Sequence, residues 1–180
     1  MGVREIAKGR PEGYKSNEWF TPPEWLDRVR VVFGGQIDLD PCSCMEAQKN
    51  VQARRWLCKE QDGLARSWHA DSVFVNPPYS RGVINLFVDK IVDEWTQASF
   101  TQAIILTNAC PDTLWWQALH ELSVVMAFPR QRIKFLRSDG SYVSPTLPNC
   151  FTYLGPNPGY FAFVMQDACS IVKRAHWSEV

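Results

Sequence analysis

Apolar residues recur along this chain in two rhythms, and their alternation predicts the fold before any motif is considered. Val73-Phe74-Val75 and Ala103–Thr107 are short continuous apolar runs that read as buried strands. Between them Val83, Ile84, Phe87, Val88, Ile91, Val92 and Trp95 repeat at helical spacing, with Ser80 as the expected cap. An earlier helix is expected from Thr21, which can cap it. There Pro22 and Pro23 suit the first turn, Trp25, Leu26, Val29, Val32 and Phe33 form the apolar face, and Gly34-Gly35 ends it. Ile37–Asp40 and Arg55–Cys58 read as short strands flanking a helix near Met45–Val51. A helix from Asp112 or Thr113 buries Leu114, Trp115, Ala118, Leu119 and Leu122, and Ser123–Phe128 follows as a strand. Asn149–Leu154 and Tyr160–Met165 read as two strands joined by Gly155-Pro-Asn-Pro-Gly159, a turn by composition, and the tail from Asp167 reads as a terminal helix. Residues 1–17 are polar and read as a loose arm. The whole predicts one α/β domain over residues 18–180, a three-layer sandwich whose mostly parallel sheet carries an antiparallel edge hairpin.

Composition narrows this picture. A chain of 180 residues with 46% hydrophobic and 21% charged content is an ordinary single globular domain. No apolar run is long enough to span a membrane, and the first residues lack the apolar core of a leader. The formal net charge of zero argues against a protein that coats nucleic acid, while leaving room for a local basic face. Six cysteines without a C-x-x-C pair read as reduced thiols. Cys42, Cys44, Cys58 and His69 match no common zinc spacing, so no metal is expected.

The tetrapeptide Asn76-Pro77-Pro78-Tyr79 carries the most specific chemistry. It follows an apolar strand and precedes the clearest helix, so it lies at a strand's carboxyl end, where open α/β sheets bind ligands. The Asn76 Oδ1 atom can accept one N–H of a planar amine. Pro lacks a backbone N–H, so this loop presents mainly carbonyls, and that of Pro77 can accept the second. Tyr79 offers a face for stacking. The plain alternative is a proline-rich turn closing a buried strand. Upstream, Asp38-Leu39-Asp40-Pro41 ends another strand where a Gly-rich loop often stands, and the chain has no G-x-G. Acidic groups there can pair with an ammonium or with ribose hydroxyls; an Asp-Pro turn with a solvated carboxylate is the alternative.

Asn-Pro-Pro-Tyr resembles the signature of the amino-methyltransferases, which use S-adenosylmethionine, and the predicted fold matches their class I architecture. The ordered set Trp19-Phe20-Thr21-Pro22-Pro23-Glu24, Asp38-Leu39-Asp40-Pro41, Asp62-Gly63-Leu64 with Trp68, Asn76-Pro77-Pro78-Tyr79 and Arg132-Ile133-Lys134-Phe135 resembles the phage-type, Dam-like DNA N6-adenine methyltransferases over roughly residues 17–150. That resemblance implies a catalytic loop at Asn76, Pro77, Pro78 and Tyr79. It implies a cofactor site drawing on Trp19, Thr21, Pro22, Asp38, Asp40, Pro41 and Asp62, with Thr21 and Pro22 near the methionine end and Asp62 near the adenosine. It also implies double-stranded DNA as partner, a flipped-out adenine as substrate and the cytoplasm of a bacterial host as the place of action. The oligomeric state is left open between monomer and weak dimer.

Arg130, Arg132, Lys134 and Arg137 form the candidate DNA-contacting segment, within a loop at 129–148 expected to recognise the target; a solvated basic loop is the alternative. Enzymes that methylate RNA adenines or glutamine amides share the tetrapeptide, and a non-catalytic nucleic-acid-binding protein could keep the fold.

Overall fold

In the computed structural model, which describes residues 19–80 and 82–174, side chains of the central strands alternate between two cores. Val73 and Val75 enter one core and Phe74 the other; Ala103 and Ile105 enter the first, Ile104 and Leu106 the second. Successive strand residues point to opposite faces, so a strand apolar at every position must be covered on both sides. That requirement is what makes three layers.

The elements follow in order as α1 (Pro23–Val32), β1 (Leu39–Asp40), α2 (Met45–Val51), β2 (Arg55–Trp56), β3 (Ala70–Val75), α3 (Val83–Thr96), β4 (Phe100–Asn108), α4 (Leu114–Leu122), β5 (Val125–Pro129), β6 (Phe135–Leu136), β7 (Tyr142–Val143), β8 (Asn149–Leu154), α5 (Pro158–Met165) and β9 (Cys169–Lys173). Seven strands form one sheet in the order β2-β1-β3-β4-β8-β5-β9, and β6-β7 is a separate hairpin. Strands β2, β1, β3 and β4 are parallel; β8 runs antiparallel between β4 and β5, which restores the direction of β5. Helices α3 and α4 cover one face, α1 and α5 the other. The expected three-layer α/β sandwich with a mostly parallel sheet is what the chain forms. Among the described residues no helix is long and apolar enough to cross a membrane.

The last third departs from expectation. Tyr160–Met165 lies within helix α5 rather than in a strand, and the tail expected as a helix is strand β9, antiparallel to β5 at the sheet edge. The run Tyr160-Phe-Ala-Phe-Val-Met165 is apolar throughout and has no period with which to tell buried strand from buried helix. Tertiary contacts decide it. Pro158 stands in the first turn, Phe161 stacks on Tyr153 at 5.0 Å, and Arg28 of α1 donates to the Val164 carbonyl and bidentately to Asp167. The antiparallel edge is therefore made by β5 and β9, while β8 sits inside the sheet. Two expected caps also differ. Neither Thr21 nor Ser80 caps with its side chain: α1 starts from Pro22 and α3 from Gly82, whose φ of 82° is a left-handed value open to glycine.

Candidate active site

The chain reverses its course across the sheet beside β1. From β1 it moves outward to β2, then returns to place β3 on the other side of β1. The crevice at the carboxyl ends of β1 and β3 is the topological switch point, where open α/β sheets hold ligands. Asp40 ends β1 there and Asn76 directly follows β3.

Asp40 is 4% exposed. It accepts from the Cys42 backbone N–H (3.3 Å) and from Gln48 Nε2 (3.0 Å), with the Ser43 hydroxyl a further donor. These partners are neutral. Burial without a neutralising cation disfavours the carboxylate, and the pKa rises to about 6 despite the hydrogen bonds. Gln48, from α2, also donates to Ser43 Oγ (2.7 Å), while its Oε1 accepts from the Ala53 N–H (2.9 Å), so its orientation is fixed. The Cys42 thiol donates to the Asn76 carbonyl at 3.4 Å and ties the two strand ends together. Burial, with Asp40 nearby, pushes that thiol well above its ordinary pKa, which makes it a structural rather than a reactive group.

The Asn76 side chain is held from the other side by residues far away in sequence. Its Nδ2 donates to the Trp19 carbonyl (3.3 Å) and to Thr21 Oγ1 (3.2 Å). A carbonyl can only accept, so the amide cannot flip. Its Oδ1 meets no donor among the described residues. Pro77 is buried and Pro78 exposed. Tyr79 is anchored through its hydroxyl, which accepts the Asn108 backbone N–H at 2.6 Å at the end of β4. Burial around that hydroxyl raises its pKa, whereas the residue as a whole remains 42% exposed. The tip is fixed and the ring is available.

The other expected cofactor residues divide. Thr21 and Pro22 are buried beside Asn76, and Pro41 follows Asp40 directly. Asp62 is exposed, has φ 53° and spends one oxygen on the Leu64 N–H in its own turn. Its neighbour Gly63 is the contact residue, because a Cβ there would collide with the Pro41 carbonyl. The fully buried Trp68 donates Nε1 to the Gly63 carbonyl at 2.8 Å and pins the turn onto the end of β1. Asp38 is not brought to the crevice. It accepts from the Asp71 N–H at the start of β3 and lies 3.8 Å from Arg55, so it serves the opposite end of the strand.

The basic segment also divides. Arg130, although exposed, is tied to the fold: its backbone N–H bonds to Ala168, and its guanidinium donates to the carbonyls of Gln166 and Cys169. Arg132 and Lys134 are exposed, alternating with Ile133 and Phe135, which are buried in the α1/α5 core. Arg137 closes the β6-β7 turn through its backbone, and its Nε is buried with no partner among the described residues. Because β5 and β8 run in opposite directions, residues 130–148 leave and re-enter the sheet at the carboxyl end of β4, the end that carries Asn76.

Sequence reasoning missed Gln48, Asn108, Gly63 as a contact and the pairing of Phe20 with Leu136. Asn108, Gly63 and the Phe20–Leu136 pair act through long-range meetings, and Gln48 through a helix-to-strand contact that no residue pattern announces. Among the described residues no group of three or more His, Cys, Asp or Glu could hold a metal ion.

The switch-point crevice thus brings together a buried carboxylate, an oriented amide and an anchored aromatic. The family model for DNA N-6-adenine-methyltransferase (Dam) matches residues 11–150, and the chain belongs to that family. It is 22% identical over 135 residues to the DNA N-6-adenine-methyltransferase of Haemophilus phage HP1, covering 74% of this chain and 75% of that one. A solved structure from Pyrococcus horikoshii, described as that of an RNA methyltransferase, aligns at 10% identity with a TM-score of 0.49, covering 76% of this chain and 85% of that one.

Proposed function

We propose that this protein transfers the methyl group of S-adenosylmethionine to the exocyclic N6 of an adenine flipped out of double-stranded DNA. The observation that carries the reading is the Asn76 amide, whose Nδ2 is committed to two acceptors and whose Oδ1 is left to accept. An adenine amine is a poor nucleophile because its lone pair is delocalised into the ring. Asn76 Oδ1 and the Pro77 carbonyl, each accepting one N–H, favour a pyramidal nitrogen with its lone pair directed outward. That is catalysis by orientation and by stabilising positive charge as it develops on nitrogen. When bound, the cofactor supplies a methyl group on a positively charged sulfur. N6 would accept that methyl group and give up one amine proton to solvent, with Asn76 Oδ1 and the Pro77 carbonyl holding the amine in place.

Asp40 fits the cofactor on its own chemistry. It is a buried carboxylate with neutral partners only, and an ammonium or a pair of ribose hydroxyls would supply what it lacks. Pro41 adjoins it in the chain, and the Gly63 turn packs on the Pro41 carbonyl. Extruding a base costs a few kcal/mol. Stacking on Tyr79, on the order of 1–3 kcal/mol, offsets much of it. Arg132 and Lys134 would contact phosphates, with Arg137 beside them. Acting on DNA, the protein would work in the cytoplasm of a bacterial host.

Labelled-methyl transfer tests this reading, with duplex DNA, RNA and protein supplied separately and the DNA product digested to nucleosides. N6-methyladenine in the DNA supports it. Label found only in RNA or protein, or no cofactor binding by calorimetry, overturns it.

A further inference from the structure

The strap formed by Trp19, Phe20 and Thr21 is one residue wide and is used along both edges. On one edge the Phe20 N–H donates to the Leu136 carbonyl (2.8 Å), and the Leu136 N–H returns a bond to Phe20 (3.0 Å). In extended chain the next backbone groups on either side point the opposite way. The Trp19 carbonyl accordingly meets Asn76 Nδ2 on the other edge, where the Thr21 side chain adds Oγ1 as a second acceptor. The Trp19 ring packs on Phe135 at 5.8 Å, and Thr21 is 3% exposed. The amide proposed to hold the target amine and the hairpin that follows the basic residues are thus fastened to opposite sides of the same three residues.

We infer that Thr21 is a positioning residue for Asn76: its hydroxyl fixes the amide with Oδ1 outward, and the strap's pairing with Leu136 makes that orientation depend on the seating of the β6-β7 hairpin. The inference deepens the proposed function and rests on it for the catalytic consequence. The contact that carries this role is the bond the Thr21 hydroxyl oxygen accepts from Asn76 Nδ2 at 3.2 Å. Loss of one of two acceptors leaves Nδ2 half satisfied and the amide held by the Trp19 carbonyl alone, so its position loosens, and small misplacements of a reacting group cost up to about 100-fold in rate.

Thr21→Val keeps the shape and removes the acceptor; Thr21→Ser keeps the acceptor. In Thr21→Val the single-turnover methyl transfer rate should fall by at least about tenfold, with KM for DNA and the calorimetric Kd for S-adenosylmethionine little changed. Thr21→Ser should recover most of the rate. A readout independent of activity is hydrogen exchange of the Asn76 side-chain amide by NMR in the protein alone. It should quicken by about tenfold in Thr21→Val and not in Thr21→Ser. Unchanged exchange in Thr21→Val overturns the inference, as does a loss of cofactor affinity with an intact saturated rate. If the unaltered protein transfers no methyl group to DNA, the proposed function fails, while the exchange measurement still decides the role of Thr21.

Discussion

The Asn76 loop and the Arg130–Arg137 segment flank the same end of the sheet and are held by opposite means. Around Asn76, polar groups from four separate stretches of chain bind one another: Trp19 and Thr21, Asp40 and Cys42, Gln48, and Asn108 through Tyr79. Around Arg132 and Lys134 the polar groups face outward, and the segment is held by Ile133 and Phe135 beneath it. The first region spends its hydrogen bonds on itself and is held in one arrangement. The second presents its charges to solvent, and its attachment is apolar.

The sharpest way to break this contrast is Asn76→Ala. Methyl transfer should fall by about 100-fold to 1,000-fold or more, with S-adenosylmethionine affinity near that of the unaltered protein; calorimetry beside a labelled-methyl assay measures both. A variant with ordinary activity would remove Asn76 from the chemistry altogether. Next in size is the Gly63 contact. Gly63→Ala forces the turn away from the Pro41 carbonyl and should lower stability by about 1–3 kcal/mol, read as a fall in melting temperature together with weaker cofactor binding.

Asp40 gives a pH test. Its pKa in the folded chain is raised from 3.8 to about 6, so the folded state favours the protonated carboxyl. The stability this confers is present in full below the ordinary value and is lost as pH rises through about 6. Pairing with a cofactor ammonium or ribose needs the carboxylate, so affinity should move the other way, weakening about tenfold from about pH 7 to about pH 5. A flat affinity profile would take Asp40 out of the cofactor site.

The basic segment should respond in a graded way. Arg132→Ala and Lys134→Ala should each weaken DNA binding several-fold and lower the salt dependence by about one phosphate contact. Arg130→Ala should leave DNA binding alone and lower the melting temperature instead. Equal effects from all three would erase the distinction between built-in and presented charge. The smallest change is expected from Tyr79→Phe, which keeps the ring and loses only the tether to Asn108; a two- to five-fold fall in rate, or about 0.5–1 kcal/mol, is the scale of one such bond.

These regions were not equally legible in the sequence. The strand–loop–helix around Asn76 could be read because its signals are local: an apolar run, two prolines and a strongly periodic helix. Asp40 at a strand end was legible for the same reason. Asp38 was grouped with Asp40 although it precedes the two-residue strand β1 and so lies at its amino end, beside Asp71 and Arg55, while Asp40 closes its carboxyl end; strand bounds that tight cannot be read from the sequence. Arg130 looked like its basic neighbours in sequence, and only the arrival of β9 gives its guanidinium carbonyls to bind. Helix α5 has no period to read. The strap escaped because its partners stand 55 and 57 residues away at Asn76 and farther still at Leu136.

The reversed strand β8 has a consequence for how such a protein can change over time. Since β5 ends and β8 begins at the same end of the sheet, residues 130–148 form an excursion that leaves and rejoins the scaffold beside the Asn76 loop. Much of it can be lengthened, shortened or rewritten without disturbing the seven-stranded sheet, provided Ile133, Phe135 and Leu136 keep their seats. On the proposed function, sequence preference would then drift between related proteins while the chemistry stays fixed, as a tool keeps its motor and changes its bit.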